Sequence, residues 1–176
     1  MEISVSFWTF LWSALSFVGV YVLIPSVMVL RDFLLILLVE KLVLNGKFWF
    51  FLRVFCNDKL YLEQVYNRNT FHDGSEGEDK YIIDGQDVSK EVYDSYHSSR
   101  NMCLDRFRNS KLRITLTKKL VIGIDKYFKA DTKFEDLFNS EMERFTEESI
   151  VFLNISREWS QQYDDIPEYW KTPRQF

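Results

Sequence analysis

Four side chains carry thiol or imidazole chemistry in this sequence: Cys56, Cys103, His72 and His97. A nucleophile needs its base within hydrogen-bond reach. His97 and Cys103 share one predicted helix but lie six residues apart, about 240° around it, so they face different sides. His72 reaches either cysteine only through folding. Structural or surface roles are therefore expected for all four. With two cysteines the chain is not a disulfide-dense secreted scaffold, and two unpaired, buried thiols are expected. One bridge becomes an alternative if the tail is lumenal.

The carboxylates Asp73, Glu76, Glu78 and Asp79 lie in a polar, glycine-punctuated stretch from His72 to Asp79. Their spacing departs from the alternating ligands and distal Glu of an EF-hand, so a solvated loop is expected rather than a calcium site. The sequence contains no phosphate-cradling glycine loop and no CxxC, HExxH or GxSxG pattern. No catalytic, cofactor-binding or metal-binding residue is assigned.

Charge layout is more telling. Arg106, Arg108, Lys111, Arg113, Lys118 and Lys119 form a basic run without an acid, whereas acids dominate from Asp131 to Glu168. Beside an anionic bilayer each well-placed cation contributes about 1 kcal/mol. This makes the run a candidate lipid-surface contact. The competing expectation is that the run faces the acidic segment or simply stays solvated. The formal net charge of -4 argues against a nucleic-acid binder, which needs an excess of Lys and Arg.

These groups must be held by elements of two unlike kinds, which the mean hydropathy of -0.19 averages away. From Ile3 to Leu30 the chain has no charged residue. A bilayer core is crossed by about 20 predominantly apolar helical residues, so this run predicts a transmembrane helix from Val5 to Leu30. Glu2 and the absence of Lys or Arg before the run favour a retained anchor over a cleaved signal peptide. The aromatic content of 17% suits a membrane interface.

Pro25 interrupts the run and Arg31–Asp32 ends it. A second apolar block, Phe33–Val39, then leads through Glu40–Lys41 to the aromatic cluster Phe48–Phe51. Either one helix spans and this block lies along the surface, or the chain turns between Pro25 and Asp32 and Phe33–Phe55 returns as a hairpin. The hairpin would place Glu40 and Lys41 in hydrocarbon, at about 2.5–3.5 kcal/mol per charge. Lys41, Lys47 and Arg53 follow the apolar run, which places the tail in the cytosol under either topology.

The expected organisation is thus an anchor and apolar extension over residues 1–55, then a small α+β domain over residues 56–176. Within the latter, Asn57–Gln64 reads as a short helix and Lys80–Asp84 as a strand closed by Gly85. A helical pattern begins at Asp87–Ser89 and runs to about Arg108, with Val92, Tyr96, Met102 and Cys103 on its apolar side. Leu112, Ile114 and Leu116 alternate with Arg113, Thr115 and Thr117, which predicts a half-exposed strand over residues 111–117. Leu120–Ile124 is its expected hairpin partner after a turn at Lys118–Lys119.

Thr132 and Glu135 have the spacing of a capping box. The long amphipathic helix they open carries Phe138, Met142, Phe145, Phe152, Trp159 and Tyr163, with Ser149 and Ser156 as polar breaks, and ends at Pro167. Its seam either packs on the domain or docks a partner helix. Asn154–Ile155–Ser156 is a glycosylation sequon, usable only if the tail is lumenal.

These features lead to an expected non-enzymatic interaction or adaptor protein. It would sit in the endoplasmic reticulum or another internal membrane, with the membrane and a protein as partners. One alternative is an accessory subunit or modulator of a transporter or channel, using Arg31, Asp32, Glu40 and Lys41. A second is a membrane-bound lipid-modifying enzyme, which requires polar groups converging in a pocket.

Overall fold

The computed structural model describes residues 7–74, 79–129 and 132–173. It divides the chain into two compact units, Met1–Asn45 and Gly46–Phe176.

The first unit is one continuous helix, Phe7–Val43, long and apolar enough to cross a membrane. It is built from α1 (Phe7–Val18) and α2 (Ile24–Leu38), with one π-helical segment at Gly19–Leu23 and another at Val39–Val43. Proline lacks an N–H and clashes with the preceding turn. The widened segment absorbs this defect: the Ile24 N–H reaches back five residues to the Gly19 carbonyl. Ser26 Oγ donates to the Val22 carbonyl at 2.7 Å. Helical structure therefore runs on through Pro25 and Arg31–Asp32, and the reversal that a hairpin requires there does not form. Its 37 residues extend about 55 Å at 1.5 Å per residue, well past the expected end at Leu30.

The second unit is mostly helical, with one small antiparallel sheet. Helix α3 (Gly46–Gln64) runs without a break through Phe55 and Cys56, so the short helix expected at Asn57–Gln64 is only its second half. Strands β1 (Thr70–Asp73), β2 (Lys80–Ile83) and β3 (Gln86–Val88) form a meander in the order β1-β2-β3. Asp84 and Gly85, with φ of 49° and 79°, close the β2–β3 hairpin. Two positive φ values in a two-residue Asp-Gly loop match the twist of the flanking strands.

Helix α4 (Lys90–Tyr127) contains 38 residues and is capped by Ser89, whose Oγ accepts the Val92 N–H; Asp87 and Val88, expected to open this helix, belong to β3. The expected strands over residues 111–117 and 120–124 are therefore helical. Alternation across seven residues is a short signal, and the longer pattern prevails. Tyr96, Cys103, Ile114 and Val121 are buried at intervals of 7, 11 and 7 residues, which is helical spacing. Of the alternating trio only Ile114 is buried; Leu112 and Leu116 are 68% and 56% exposed. The sheet of this domain comes from residues 70–88 instead.

Helix α5 (Phe134–Ser160) packs with α3 and α4 into a three-helix bundle, followed by the short α6 (Glu168–Lys171). Phe48, Leu52 and Cys56 of α3 meet Phe138, Phe145 and Leu153 of α5 in the core; Phe48 and Phe138 lie 6.0 Å apart between ring centroids. The capping box takes another form. Thr132 Oγ1 donates to Asp125 of α4, and Asp125 itself accepts the Phe134 N–H (3.1 Å) and Glu135 N–H (2.6 Å). The cap of α5 thus comes from the preceding helix. The expected seam is also rotated: Ser149 is buried, whereas Phe152, Trp159 and Tyr163 are exposed. The packed face runs through Phe138, Phe145, Ser149, Leu153 and Arg157. Helix α5 ends at Ser160 rather than at Pro167.

Candidate functional site

The bundle brings one acid, one base and one thiol together. Asp58 projects from α3 toward α4 and is 2% exposed, while its partner Arg106 is 61% exposed. Arg106 donates to both carboxylate oxygens, from Nε at 3.1 Å and from Nη2 at 2.8 Å. This bidentate geometry satisfies a carboxylate that burial would otherwise penalise. Cys103 Sγ lies 3.5 Å from both the Asp58 carbonyl and Oδ1.

Burial and then the Asp58 charge push the Cys103 thiol up to about 12. A thiol raised that far is protonated at neutral pH, and it is placed to donate to the acid. Cys56 is likewise raised by burial, and its Sγ points to the Met142 carbonyl of α5 at 3.7 Å. Both cysteines are free and buried, directed to different neighbours, so the alternative of a bridge does not form. The histidines gather elsewhere, around Tyr93. His72 stacks on Tyr81 with centroids 4.6 Å apart, and His97 lies 4.5 Å from Tyr93. The acidic loop considered for calcium lies partly outside the described residues, since 75–78 are not among them.

Next to the Asp58–Arg106 pair, α3 and α5, with Arg106 of α4, line an open groove of about 690 Å³. Phe50, Phe51 and Val54 of α3 and Phe152 of α5 form its apolar walls, with Arg53 and Glu148 among the polar groups. Arg53 and Glu148 are ion-paired, and Arg53 also lies over the Phe145 ring at 5.2 Å. A second bay of about 250 Å³ shares Phe51, Val54 and Arg106 and adds Arg113 and Ile114. The Arg113 guanidinium sits 4.8 Å from the Phe51 ring centroid. Both carboxylates of the groove, Asp58 and Glu148, already bind arginines.

The six cations of the basic run are not held on one strand face. As part of α4 they divide by helical angle. Arg106 and Arg113, seven residues apart, border α3, Arg106 at the groove and Arg113 at the second bay. Lys111 and Lys118 lie over the rings of Phe107 (5.8 Å) and Phe138 (5.9 Å). Arg108 and Lys119 are exposed on the outer side, where Lys126 follows them. Between the Arg106–Arg113 edge and the Arg108–Lys119–Lys126 edge runs an exposed apolar row: Met102, Leu112, Leu116, Leu120 and Tyr127. Asp105 is the acid on that face, near its N-terminal end. Read as strands, these residues concealed the amphipathic face; the four-residue spacing of Leu112, Leu116 and Leu120 was its signal. Asn154 lies exposed on α5.

Sequence reading missed Asp58 altogether, and with it the pairing of Arg106. It also missed a hub at Arg68. Its side chain, 5% exposed, pairs with Asp84 Oδ2 at 3.0 Å. It also donates to the carbonyls of Gln64 (3.1 Å), Val65 (3.3 Å), Tyr169 (2.9 Å) and Thr172 (2.6 Å).

In the first unit, Arg31 donates to Asp32 Oδ1 from Nε (2.9 Å) and Nη2 (2.8 Å), while Glu40 and Lys41 lie in the π-helical segment Val39–Val43. Compared with known proteins, the chain matches no family model, no curated protein and no solved structure.

Proposed function

We propose that this chain is a membrane-anchored, non-enzymatic interaction protein of an internal membrane such as the endoplasmic reticulum. Phe7–Val43 is the anchor, and the helical domain sits on the cytosolic side. The carrying observation is the outer face of α4, where Leu112, Leu116, Leu120 and Tyr127 stay exposed between two edges of Lys and Arg. An apolar row bordered by cations suits a helix lying in the interface of an anionic leaflet, its rings and leucines reaching below the headgroups. Only Leu44 and Asn45 separate the apolar helix from α3, so an inserted anchor keeps the helical domain at high effective concentration near lipid.

A protein partner is supported by α5, which leaves Val151, Ile155 and Trp159 exposed beside Glu147 and Glu158. That combination fits an apolar helix with basic flanks. A non-enzymatic role is supported by the protonated state of Cys103 and by the arginine pairing of the groove carboxylates.

The lipid reading is tested with the full chain reconstituted in liposomes, carrying an environment-sensitive fluorophore on Leu116→Cys. The native thiols are buried and leave this site selectively reactive. With phosphatidylserine present, emission shifts to the blue, and high salt reverses the shift by screening the cations. An unshifted probe, or an equal shift in purely zwitterionic liposomes, would remove α4 as an anionic-lipid contact.

Orientation is tested by protease treatment of sealed microsomes. A digestible tail without an Asn154 glycan is expected, because Lys41, Lys47 and Arg53 follow the apolar run. A protected, glycosylated tail would place the domain in the lumen.

A further inference from the structure

We infer that the groove walled by Phe50, Phe51, Val54 and Phe152 binds a single long acyl chain that ends in an anionic headgroup. At about 690 Å³ it lies within the range of about 300–1,000 Å³ typical of small-molecule sites. The polar capacity around it is largely spent: Asp58 holds Arg106, and Glu148 holds Arg53. The remaining wall is mostly rings and aliphatic carbon, with Asn57 and with Ser149, whose hydroxyl is taken by the Phe145 carbonyl, and this favours hydrocarbon over a polar cofactor.

The headgroup chemistry follows from two arginines: Arg106, which lines both the groove and the adjoining bay, and Arg113, which lines the bay. Arg106 engages Asp58 through Nε and Nη2, which fixes the guanidinium plane and leaves the Nη1 hydrogens for a ligand. Arg113 is held over the Phe51 ring and, among the described residues, no carboxylate lines its bay, so it adds positive charge there. Two preorganised guanidinium groups beside an apolar groove complement a fatty-acid carboxylate or a lysophospholipid phosphate. Both sources present the same acyl anion.

The test uses the full chain in phosphatidylcholine nanodiscs with a photoactivatable palmitate, and crosslinked peptides are mapped by mass spectrometry. Saturable labelling is expected on the segments containing Phe50–Val54 and Phe152. Val54→Trp, which fills the groove without altering the outer face of α4, should cut that labelling about tenfold. Arg113→Gln should weaken it while retaining the apolar wall.

On the unmodified protein, oleate and lysophosphatidate should compete and lysophosphatidylcholine should not; the stronger of the two anions identifies the headgroup. Labelling confined to Phe7–Val43, or unchanged in folded Val54→Trp, would overturn the site. Equal competition by lysophosphatidylcholine would overturn the anionic requirement. The outcome is independent of the Leu116 probe, because surface contact by α4 is neither saturable by palmitate nor blocked at Val54.

Discussion

Arg68→Ala is expected to destabilise the helical domain by about 3–5 kcal/mol, the largest effect of any single polar substitution proposed for it. The reason is the number of groups that depend on one side chain. Arg68 supplies donors to Gln64 and Val65 at the end of α3, and to Tyr169 and Thr172 at the two ends of α6. It also pairs with Asp84 in the β2–β3 turn. Truncation removes a donor from four carbonyls, of which that of Gln64 keeps Arg157, and cuts a side-chain link that joins these three places.

Arg157 provides the contrast. It is also buried and donates to the Gln64 carbonyl, but its Nε has no partner among the described residues. Burial, and then the nearby Arg68 charge, lower its pKa. Replacing such a group with an apolar side chain of similar size is often neutral. Arg157→Met should therefore shift the melting temperature of the full chain in detergent far less than Arg68→Ala. Similar losses from both would show that Arg68 is not the hub. Hydrogen exchange should locate the Arg68→Ala effect in the meander and α6 first, since those elements are tied to α3 through it.

The second large effect is expected at Asp125. It accepts two backbone N–H groups at the start of α5 and the Thr132 hydroxyl, so Asp125→Ala removes a complete helix cap at a cost of about 2–3 kcal/mol. Burial by itself would raise its pKa; the hydrogen bonds from Thr132, Glu135 and Phe134 together outweigh burial and hold it below the ordinary carboxylate value. A folded-state pKa below the unfolded one means that this stabilisation is complete above about pH 4, the unfolded value, and is lost as pH falls through the folded one.

Acid titration of the full chain should therefore show a cooperative loss of helicity below that pH. Asp125→Asn should flatten this limb and lower the neutral-pH plateau. A variant that kept the wild-type acid limb would assign that limb to other carboxylates.

Legibility in the sequence followed the length of each pattern. The apolar helix was evident because nearly thirty uncharged residues make one long apolar pattern, and β2 was evident as a strand closed by Gly85, although Asp84, expected as its last residue, belongs to the turn. The start of α5 was also legible, although Thr132 acts through Asp125 rather than directly. The strands expected in α4 failed for the opposite reason. Seven alternating residues fit a strand locally, but a buried repeat spanning Tyr96 to Val121 outweighs them once α3 and α5 are there to cover it.

Residues near one another along the chain account for the apolar N-terminal segment, the polar second unit, and the types of charge each carries. Closure of the bundle is what brings Asp58 to Arg106, ties α3 to the β2–β3 turn and α6 through Arg68, turns Ser149 inward and Trp159 outward, and opens a groove beside Phe51 and Phe152. Each is a contact between residues far apart in sequence. Local propensity says nothing about such partners, because helix rotation and packing choose them when the bundle closes.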